Sequence, residues 1–104
     1  MGVQRTVRFS GAGPAWPVVV ERLRQLGEEP VLRMLDGLPA FPDEEPPADW
    51  RELRIGLAGG MVTLRRGSPG TVDVVSWGTA DPALQQSWQR LTQAVADATG
   101  GTVS

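Results

Sequence analysis

The stretch RELRIGLAGGMVTLRRGSPGTVDVVSWG, residues 51–78, decides the fold of this chain. Its first run alternates apolar residues with polar residues or glycine, and period-two alternation is typical of a strand with one buried face. Turn-forming residues interrupt the alternation at Gly59-Gly60 and again over residues 67–70. Residues 71–77 are rich in β-branched side chains, which strands favour. The stretch therefore predicts a three-stranded antiparallel meander.

The two faces of the predicted meander differ in chemistry. We expect the buried parity, with the first strand of the chain included, to hold Val7, Phe9, Leu53, Ile55, Leu57, Val62, Leu64, Val72 and Val74. The opposite parity holds Arg8, Arg54, Met61, Thr63, Arg65, Asp73, Val75 and Trp77. Arginine and tryptophan are enriched in protein interfaces. Arginine stems also cover apolar surface on an ordinary solvated sheet face, so both interpretations stay open.

Two amphipathic helices flank the meander. Between Ala15 and Leu26, apolar residues recur on a 3.6-residue period and Gly27 follows as a C-terminal cap. After Asp81, which suits the N-cap, Pro82 begins a second helix that Gly100 closes. The apolar stripes consist of Trp16, Val19, Val20, Leu23 and Leu26 in the first helix, and Leu84, Trp88, Leu91, Val95 and Ala98 in the second.

Three further segments complete the chain. The alternation over Val3 to Phe9 predicts a strand, and residues 30–36 predict another, with a helical turn as the alternative because apolar residues fall on both parities. Residues 37–49 hold four prolines and four acidic residues, which indicates a long irregular loop. Residues 101–104 are either a frayed tail or the start of a short strand.

The predicted element order is β-α-β-β-β-β-α in one domain over residues 1–104. We expect an α+β fold, arranged as a two-layer sandwich. Both helices would pack on one face of a mostly antiparallel sheet of four or five strands. A relative of the ferredoxin-like topology is the preferred arrangement.

Composition argues against several classes of chemistry. The chain has no Cys, no His and no Lys, so the commonest nucleophiles, general base and metal ligands are missing, and we expect no enzyme, metal or cofactor. The net charge of −2 does not favour a nucleic-acid partner. Without a leader-like apolar region or a run near the ~20 residues of a membrane span, we expect a cytoplasmic protein with no membrane partner. All ten basic residues are arginine, which indicates a GC-rich, bacterial source.

Three motifs could bind charged ligands. The acidic residues Asp43, Glu44 and Glu45 form either a solvated loop or a lure for a basic partner. The loop Ser10-Gly11-Ala12-Gly13 lies where phosphate loops lie, but nearby prolines remove amide donors and no lysine is available, so a connector is favoured. The pair Arg65-Arg66 beside a turn could contact phosphate, although two arginines are too few for nucleic-acid binding.

We therefore expect a non-enzymatic protein-binding module. An immunity or inhibitor protein, an adaptor and a self-associating accessory domain all fit this description. The expected interaction residues are Arg8, Arg54, Met61, Arg65, Asp73 and Trp77 on the sheet, and Asp43, Glu44 and Glu45 on the acidic loop. The alternative is a small-molecule-binding domain, with a pocket between the sheet and Trp16, Trp77 or Trp88.

Overall fold

The computed structural model describes residues 2–11, 13–77 and 81–104, and these form an α+β fold of two helices and a seven-stranded antiparallel sheet. The strands are β1 (Gly2–Arg8), β2 (Val31–Leu35), β3 (Leu38–Pro39), β4 (Glu52–Leu57), β5 (Gly60–Arg65), β6 (Thr71–Trp77) and β7 (Thr102–Val103). The helices are α1 (Trp16–Gln25) and α2 (Pro82–Thr99). The strand order across the sheet is β3-β2-β4-β5-β6-β1-β7.

The predicted meander is confirmed, and it forms the centre of the sheet. Strands β4, β5 and β6 pair antiparallel in sequence order, with Leu53 opposite Leu64 and Leu64 opposite Val74. Strand β1 then pairs with β6 along its whole length. The alternation in the sequence thus aligns the buried parities of neighbouring strands, because a slip of one residue would turn a whole strand over.

The predicted number of four or five strands is wrong, because a further strand of two residues lies at each edge of the sheet. Strand β3 follows β2 through the turn Asp36-Gly37, where both residues have positive φ, 51° and 84°. Such a pair is typical of a two-residue hairpin loop. The expected loop over residues 37–49 therefore begins with a strand. At the other edge, β7 pairs with β1, so the chain end is the short strand rather than a frayed tail.

A bulge explains why β2 has apolar residues on both parities. The register with β4 shifts between Leu32 and Met34, so that Leu32 lies opposite Ile55 and Leu35 opposite Leu53. The extra residue, Arg33, brings two positions of unlike parity to the same face. The strand prediction over residues 30–36 is therefore confirmed, and the helical alternative is wrong.

The ferredoxin-like topology is not confirmed. Strands β1 and β2 flank helix α1 in the sequence, and the three strands of the meander lie between them in the sheet. A ferredoxin-like unit would hold one strand at that position. Tight turns connect the three strands of the meander, so these strands are neighbours in the sheet. Together they separate β1 from β2.

One hydrophobic cluster joins both helices to the expected buried parity of the strands. The helices contribute Trp16, Val19, Leu23, Trp88, Leu91, Ala94, Val95 and Ala96 to it. The strands contribute Val7, Leu32, Leu53, Ile55, Leu57, Val62, Leu64, Val72 and Val74. Each of the larger aliphatic side chains contributes about 1.5–3 kcal/mol by leaving water. The helix boundaries also follow the expected caps, since Asp81 accepts a hydrogen bond from the N–H of Ala83 (2.9 Å) and Gly100 is left-handed.

A buried carboxylate, Glu28, connects the end of α1 to the β4–β5 turn and to α2. Its side chain is only 1% exposed. It accepts hydrogen bonds from the N–H of Ala58 (3.0 Å), the hydroxyl of Ser87 (3.2 Å) and Nη1 of Arg90 (2.6 Å). The Ser87 hydroxyl in turn accepts from the N–H of Gly59 (2.9 Å). Because these partners come from the β4–β5 turn and from α2, this cluster sets the position of α2 on the sheet.

Gly59 lets the N-terminus of α2 approach the β4–β5 turn. A Cβ atom at this position would overlap the carbonyl oxygen of Ala83 in the first turn of α2. The clash is with backbone, which has no rotamer to change, so relief would require the helix to move.

We predict that Gly59→Ala lowers the free energy of unfolding by about 2–3 kcal/mol through this overlap. Gly67→Ala is the matched control, because Gly67 has no left-handed φ and its added Cβ would have Asp73 Oδ2, at 3.8 Å, as its nearest neighbour. Urea unfolding monitored by circular dichroism measures both variants. Equal stability of the two would contradict the close approach at Gly59.

We also predict that Glu28→Gln lowers the free energy of unfolding by about 2–4 kcal/mol, because the amide leaves Arg90 without its buried anion. Arg90→Gln should cost at least as much, since it leaves the buried Glu28 carboxylate without its cation and with only two neutral donors.

The double variant should lose less than the sum of the two single losses, as expected for groups in direct contact. Glu29→Gln, at the exposed neighbouring position, should stay within about 0.5 kcal/mol of the wild type. Additive losses in the same unfolding measurement would show that Glu28 and Arg90 act separately.

Candidate functional site

The strand parity opposite the hydrophobic cluster forms a second sheet surface, which we call the outer face. It consists of Gln4, Thr6, Arg8, Val31, Arg33, Met34, Glu52, Arg54, Gly56, Met61, Thr63, Arg65, Thr71, Asp73 and Val75. The registers arrange these residues in rows that run across the strands. The rows differ in polarity from one end of the sheet to the other.

The first row is charged. Glu52, Arg65, Asp73 and Thr6 lie opposite one another on β4, β5, β6 and β1. Arg65 pairs with Glu52 (3.1 Å), and Asp73 accepts a hydrogen bond from the hydroxyl of Thr6 (2.8 Å). Each charge in the row thus meets a partner of complementary chemistry, although exposed pairs of this kind contribute only about 0–1 kcal/mol.

The middle row is apolar at its centre. Thr63 lies opposite Arg54 on one side and Val75 on the other. Thr63 is 1% exposed and Val75 is 3% exposed, although neither belongs to the hydrophobic cluster. Arg54 lies half-buried beside them and points a guanidinium N–H at the sulfur of Met34 (3.6 Å). Long side chains of the face therefore cover its centre, as arginine stems do on apolar surface.

The last row carries few polar groups. Val31 and Met61 lie on either side of Gly56, and Met61 is 40% exposed. The bulge residue Arg33 lies over Gly56, where an added Cβ would come within 3.2 Å of Arg33 Nε. The outer face therefore changes from a row of paired polar groups at one end of the sheet to a row with Val31, Met61 and one arginine, Arg33, at the other.

Charge is divided unevenly between the outer face and the rest of the molecule. The face carries four arginines, Arg8, Arg33, Arg54 and Arg65, against two carboxylates, Glu52 and Asp73. The other six arginines of the chain stand against ten carboxylates. A chain of net charge −2 thus presents a sheet surface with an excess of positive charge.

The structure brings together some of the predicted interaction residues and separates others. Arg54, Met61, Arg65 and Asp73 lie on adjacent strands of the outer face. Arg8 lies on the same face but near the sheet edge, opposite Thr71 and Thr102. The side chain of Trp77 lies outside the described residues.

The predicted acidic residues lie elsewhere. Asp43, Glu44 and Glu45 line a groove against α1, together with Trp16, Pro17, Val20, Arg24, Pro30 and Pro42. Since α1 packs on the hydrophobic cluster, the acidic loop belongs to the helix side of the molecule and not to the outer face. One flat partner surface could not contact both.

The tryptophans proposed for a small-molecule pocket belong largely to the core. Trp16 and Trp88 are both buried in the hydrophobic cluster. The indole N–H of Trp88 donates to the carbonyl of Val74 (2.8 Å), and the guanidinium of Arg5 lies 5.4 Å from its ring centre. These contacts occupy the Trp88 ring. Its predicted role in a ligand pocket stays a prediction.

A cleft that the sequence did not indicate lies at the charged end of the sheet. Strands β1 and β5 end there and β4 and β6 begin there, and the cleft has a volume of about 390 Å³. Its most notable side chains are Trp50, only 2% exposed, and Arg66, which stacks over the Trp50 indole at 4.2 Å from the ring centre. In the sequence, the one indication of the Trp50–Arg66 pair is that Trp50 stands as an isolated aromatic residue after the prolines of residues 37–49.

Asp36 secures the start of β4 beside this cleft. One oxygen of its carboxylate accepts hydrogen bonds from the N–H groups of Arg51 and Glu52, both at 2.8 Å. The bond from Glu52, followed by that from Arg51, lowers the pKa of Asp36 below its ordinary value of 3.8, while partial burial opposes the shift. The hairpin turn and strand β4 are thus joined by a side chain whose ionised form the two N–H groups stabilise.

The described residues show neither a cluster of metal ligands nor a helix that could span a membrane. Within residues 2–11, 13–77 and 81–104, no three Asp or Glu side chains converge as ligands. Neither helix of this part of the chain combines the length and apolar character needed to cross a bilayer.

Comparison of the chain with protein-family models, with curated proteins and with solved structures found no match.

We predict that Asp36 makes stability depend on pH at the acid end. Its pKa is lower in the folded state, so its contribution is fully present above about pH 3.8 and is lost as the pH falls through the folded value. Asp36→Asn tolerates the left-handed turn but lacks the charge. Urea unfolding between about pH 2 and pH 7 should therefore show a smaller acid-dependent loss for Asp36→Asn than for the wild type.

Asp36→Ala should lower the free energy of unfolding by about 1–2 kcal/mol at neutral pH, because it removes an exposed acceptor of two hydrogen bonds and strains the turn. A wild-type acid profile that Asp36→Asn leaves unchanged would assign the dependence to another carboxyl, such as Asp97, whose pKa the hydrogen bond from Arg22 lowers.

Proposed function

We propose that this protein is a non-enzymatic binding module that contacts a protein partner through its outer face. The partner surface would carry acidic groups opposite the four arginines of the outer face and apolar groups opposite Met61 and Val31. The observation that carries the proposal is the excess of arginine on one face of a chain that is acidic elsewhere. In this proposal the two helices form one layer of the protein and the sheet forms the other.

The charge pattern favours a foreign partner over a second copy. Two outer faces of this chain would bring two surfaces with excess positive charge together, and like charges across an interface reduce association. An acidic partner instead gains faster association and selectivity against basic surfaces. An inhibitor, an immunity protein or an adaptor would use such a surface.

The apolar row supports the lifetime of the complex. Interface energy concentrates in a few side chains that become fully desolvated, and charged residues at the rim affect mainly the association rate. Met61 is well placed for the first role because it is exposed and has a flexible side chain. Arg65 is suited to the second role because it lies exposed in the charged row.

Binding explains the face better than catalysis does. The chain has no Cys, His or Lys. On the outer face, Arg65 and Glu52 form an ion pair, Asp73 accepts from Thr6, and Arg54 covers apolar surface. The acidic loop, Asp43 to Glu45, lies on the helix side and has no part in the proposed contact.

We predict that Arg65→Glu slows association with a captured partner by about tenfold at low salt, because it reverses a rim charge. Met61→Glu should instead speed dissociation, because it places a charge in the apolar contact. The partner is captured on the immobilised wild-type protein, purified, and measured by surface plasmon resonance at two salt concentrations.

Arg24→Glu is the matched control on the helix side. Arg24 is also exposed and also pairs with a glutamate, Glu29, so its reversal changes the net charge equally. It should leave the dissociation rate unchanged and alter association far less than Arg65→Glu. A partner whose kinetics respond equally to Arg24→Glu and Arg65→Glu would refute binding through the outer face. Dimerisation of the free protein in light scattering, abolished by Met61→Glu, would replace the foreign partner with a second copy.

A further inference from the structure

The cleft at the charged end of the sheet combines an apolar wall with an arginine. Phe9, Gly11 and Gly13 line it together with residues 49–51 and the turn at residues 66–71. The volume of about 390 Å³ lies within the range of small-ligand pockets, roughly 300–1,000 Å³.

Arg66 is held in a defined position but uses few of its hydrogen-bond donors. Its guanidinium stacks on the Trp50 ring and lies against Gly13, where an added Cβ would come within 3.1 Å of the guanidinium carbon. The one hydrogen bond found for its side chain among the described residues is long, from Nη2 to the carbonyl of Pro14 (3.5 Å). Its Nε is buried and has no acceptor in that part of the chain.

The charges around the cleft leave Arg66 incompletely compensated. Burial lowers the pKa of the Arg66 guanidinium, and the carboxylates of Asp49 and Asp36 oppose this shift. None of the described carboxylates comes within ion-pair distance of Arg66. Arg51 adds a second positive charge to the lining and Asp49 adds a negative one, so the lining keeps one positive charge in excess. A partly desolvated cation without a close anion favours an anionic ligand.

We propose that this cleft binds a small organic acid, with its carboxylate on the guanidinium of Arg66 and its apolar part against Phe9 and Pro69. The planar fork of arginine matches the two oxygens of a carboxylate. The stacking on Trp50 orients the fork before the ligand arrives, which reduces the ordering cost of binding.

This site is independent of the proposed protein interface. Arg65 and Arg66 are neighbours in the sequence, but Arg65 lies on the outer face and Arg66 lines the cleft. A substitution at either arginine therefore tests one surface without removing the other.

The test is a titration of the full chain with butyrate, acetate and inorganic phosphate, each against sodium chloride at matched ionic strength. Nuclear magnetic resonance follows the indole N–H of Trp50 and the amides of Gly67 and Gly70, with the indole of Trp88 as an internal reference. Butyrate should shift the first three signals saturably and leave Trp88 unchanged. Acetate, which lacks most of the apolar part, should bind more weakly.

Arg66→Gln should weaken butyrate binding by about tenfold or more, since it removes the charged fork. Arg66→Lys should be intermediate because it keeps the charge as a point donor. Arg65→Gln, the control, should bind as the wild type does. Amide dispersion in the spectra shows that each variant is folded, and if Arg66→Gln unfolds, Arg66→Lys and the wild type still decide.

Three results would overturn the proposal. The first is the absence of a saturable shift at Trp50 in the wild type. The second is butyrate binding that neither Arg66→Gln nor Arg66→Lys weakens. The third is tighter binding of phosphate than of butyrate, which would assign the cleft to an inorganic oxyanion rather than to an organic acid.

Discussion

The buried carboxylate of Glu28 is the contact on which the position of α2 against the sheet depends. A charge that is 1% exposed is costly unless donors surround it, and these donors come from the β4–β5 turn and from α2. The two elements must therefore lie together at one end of the sheet whenever the chain is folded. Gly59 favours the same close approach of α2 to the β4–β5 turn for a steric reason, because a side chain there would push α2 away.

With α2 secured at that end, the remaining surfaces are determined. The helix runs back across β5, β6 and β1, and its apolar stripe covers one parity of the strands. On the other parity, side chains of the same face cover one another, as Arg54 does beside Thr63. At the opposite end of the sheet the exposed carboxylate of Asp36 secures the start of β4, and there the strand ends and turns surround a cleft.

The sequence predicted the features that depend on local pattern. Alternation identified the meander and its buried parity, and the caps Asp81 and Gly100 identified the ends of α2. The hairpin at Asp36-Gly37 also depends on a local pattern. The prolines that follow it, however, led to the prediction of an irregular loop. The bulge at Arg33 could not be predicted from the sequence, because a strand with one extra residue gives the same pattern as a segment whose alternation is interrupted.

The sites depend on distant contacts, so the sequence predicted them less well. Glu28 stands in a polar stretch that resembles an exposed linker, and its partners lie 30 or more residues away. Trp50 and Arg66 are sixteen residues apart, and nothing between them indicates that they stack. The outer-face residues could be identified from parity alone, although their division into charged and apolar rows required the register.

The pair Arg65-Arg66 shows why composition misleads where geometry decides. In the sequence the two arginines form one basic patch, which suggests a single phosphate contact. In the sheet Arg65 is the last residue of β5 and faces outward toward Glu52. Arg66 follows it on the other parity, where it meets Trp50 and the cleft. One step along a strand therefore assigns two identical side chains to separate surfaces, one suited to a protein and the other to a small anion.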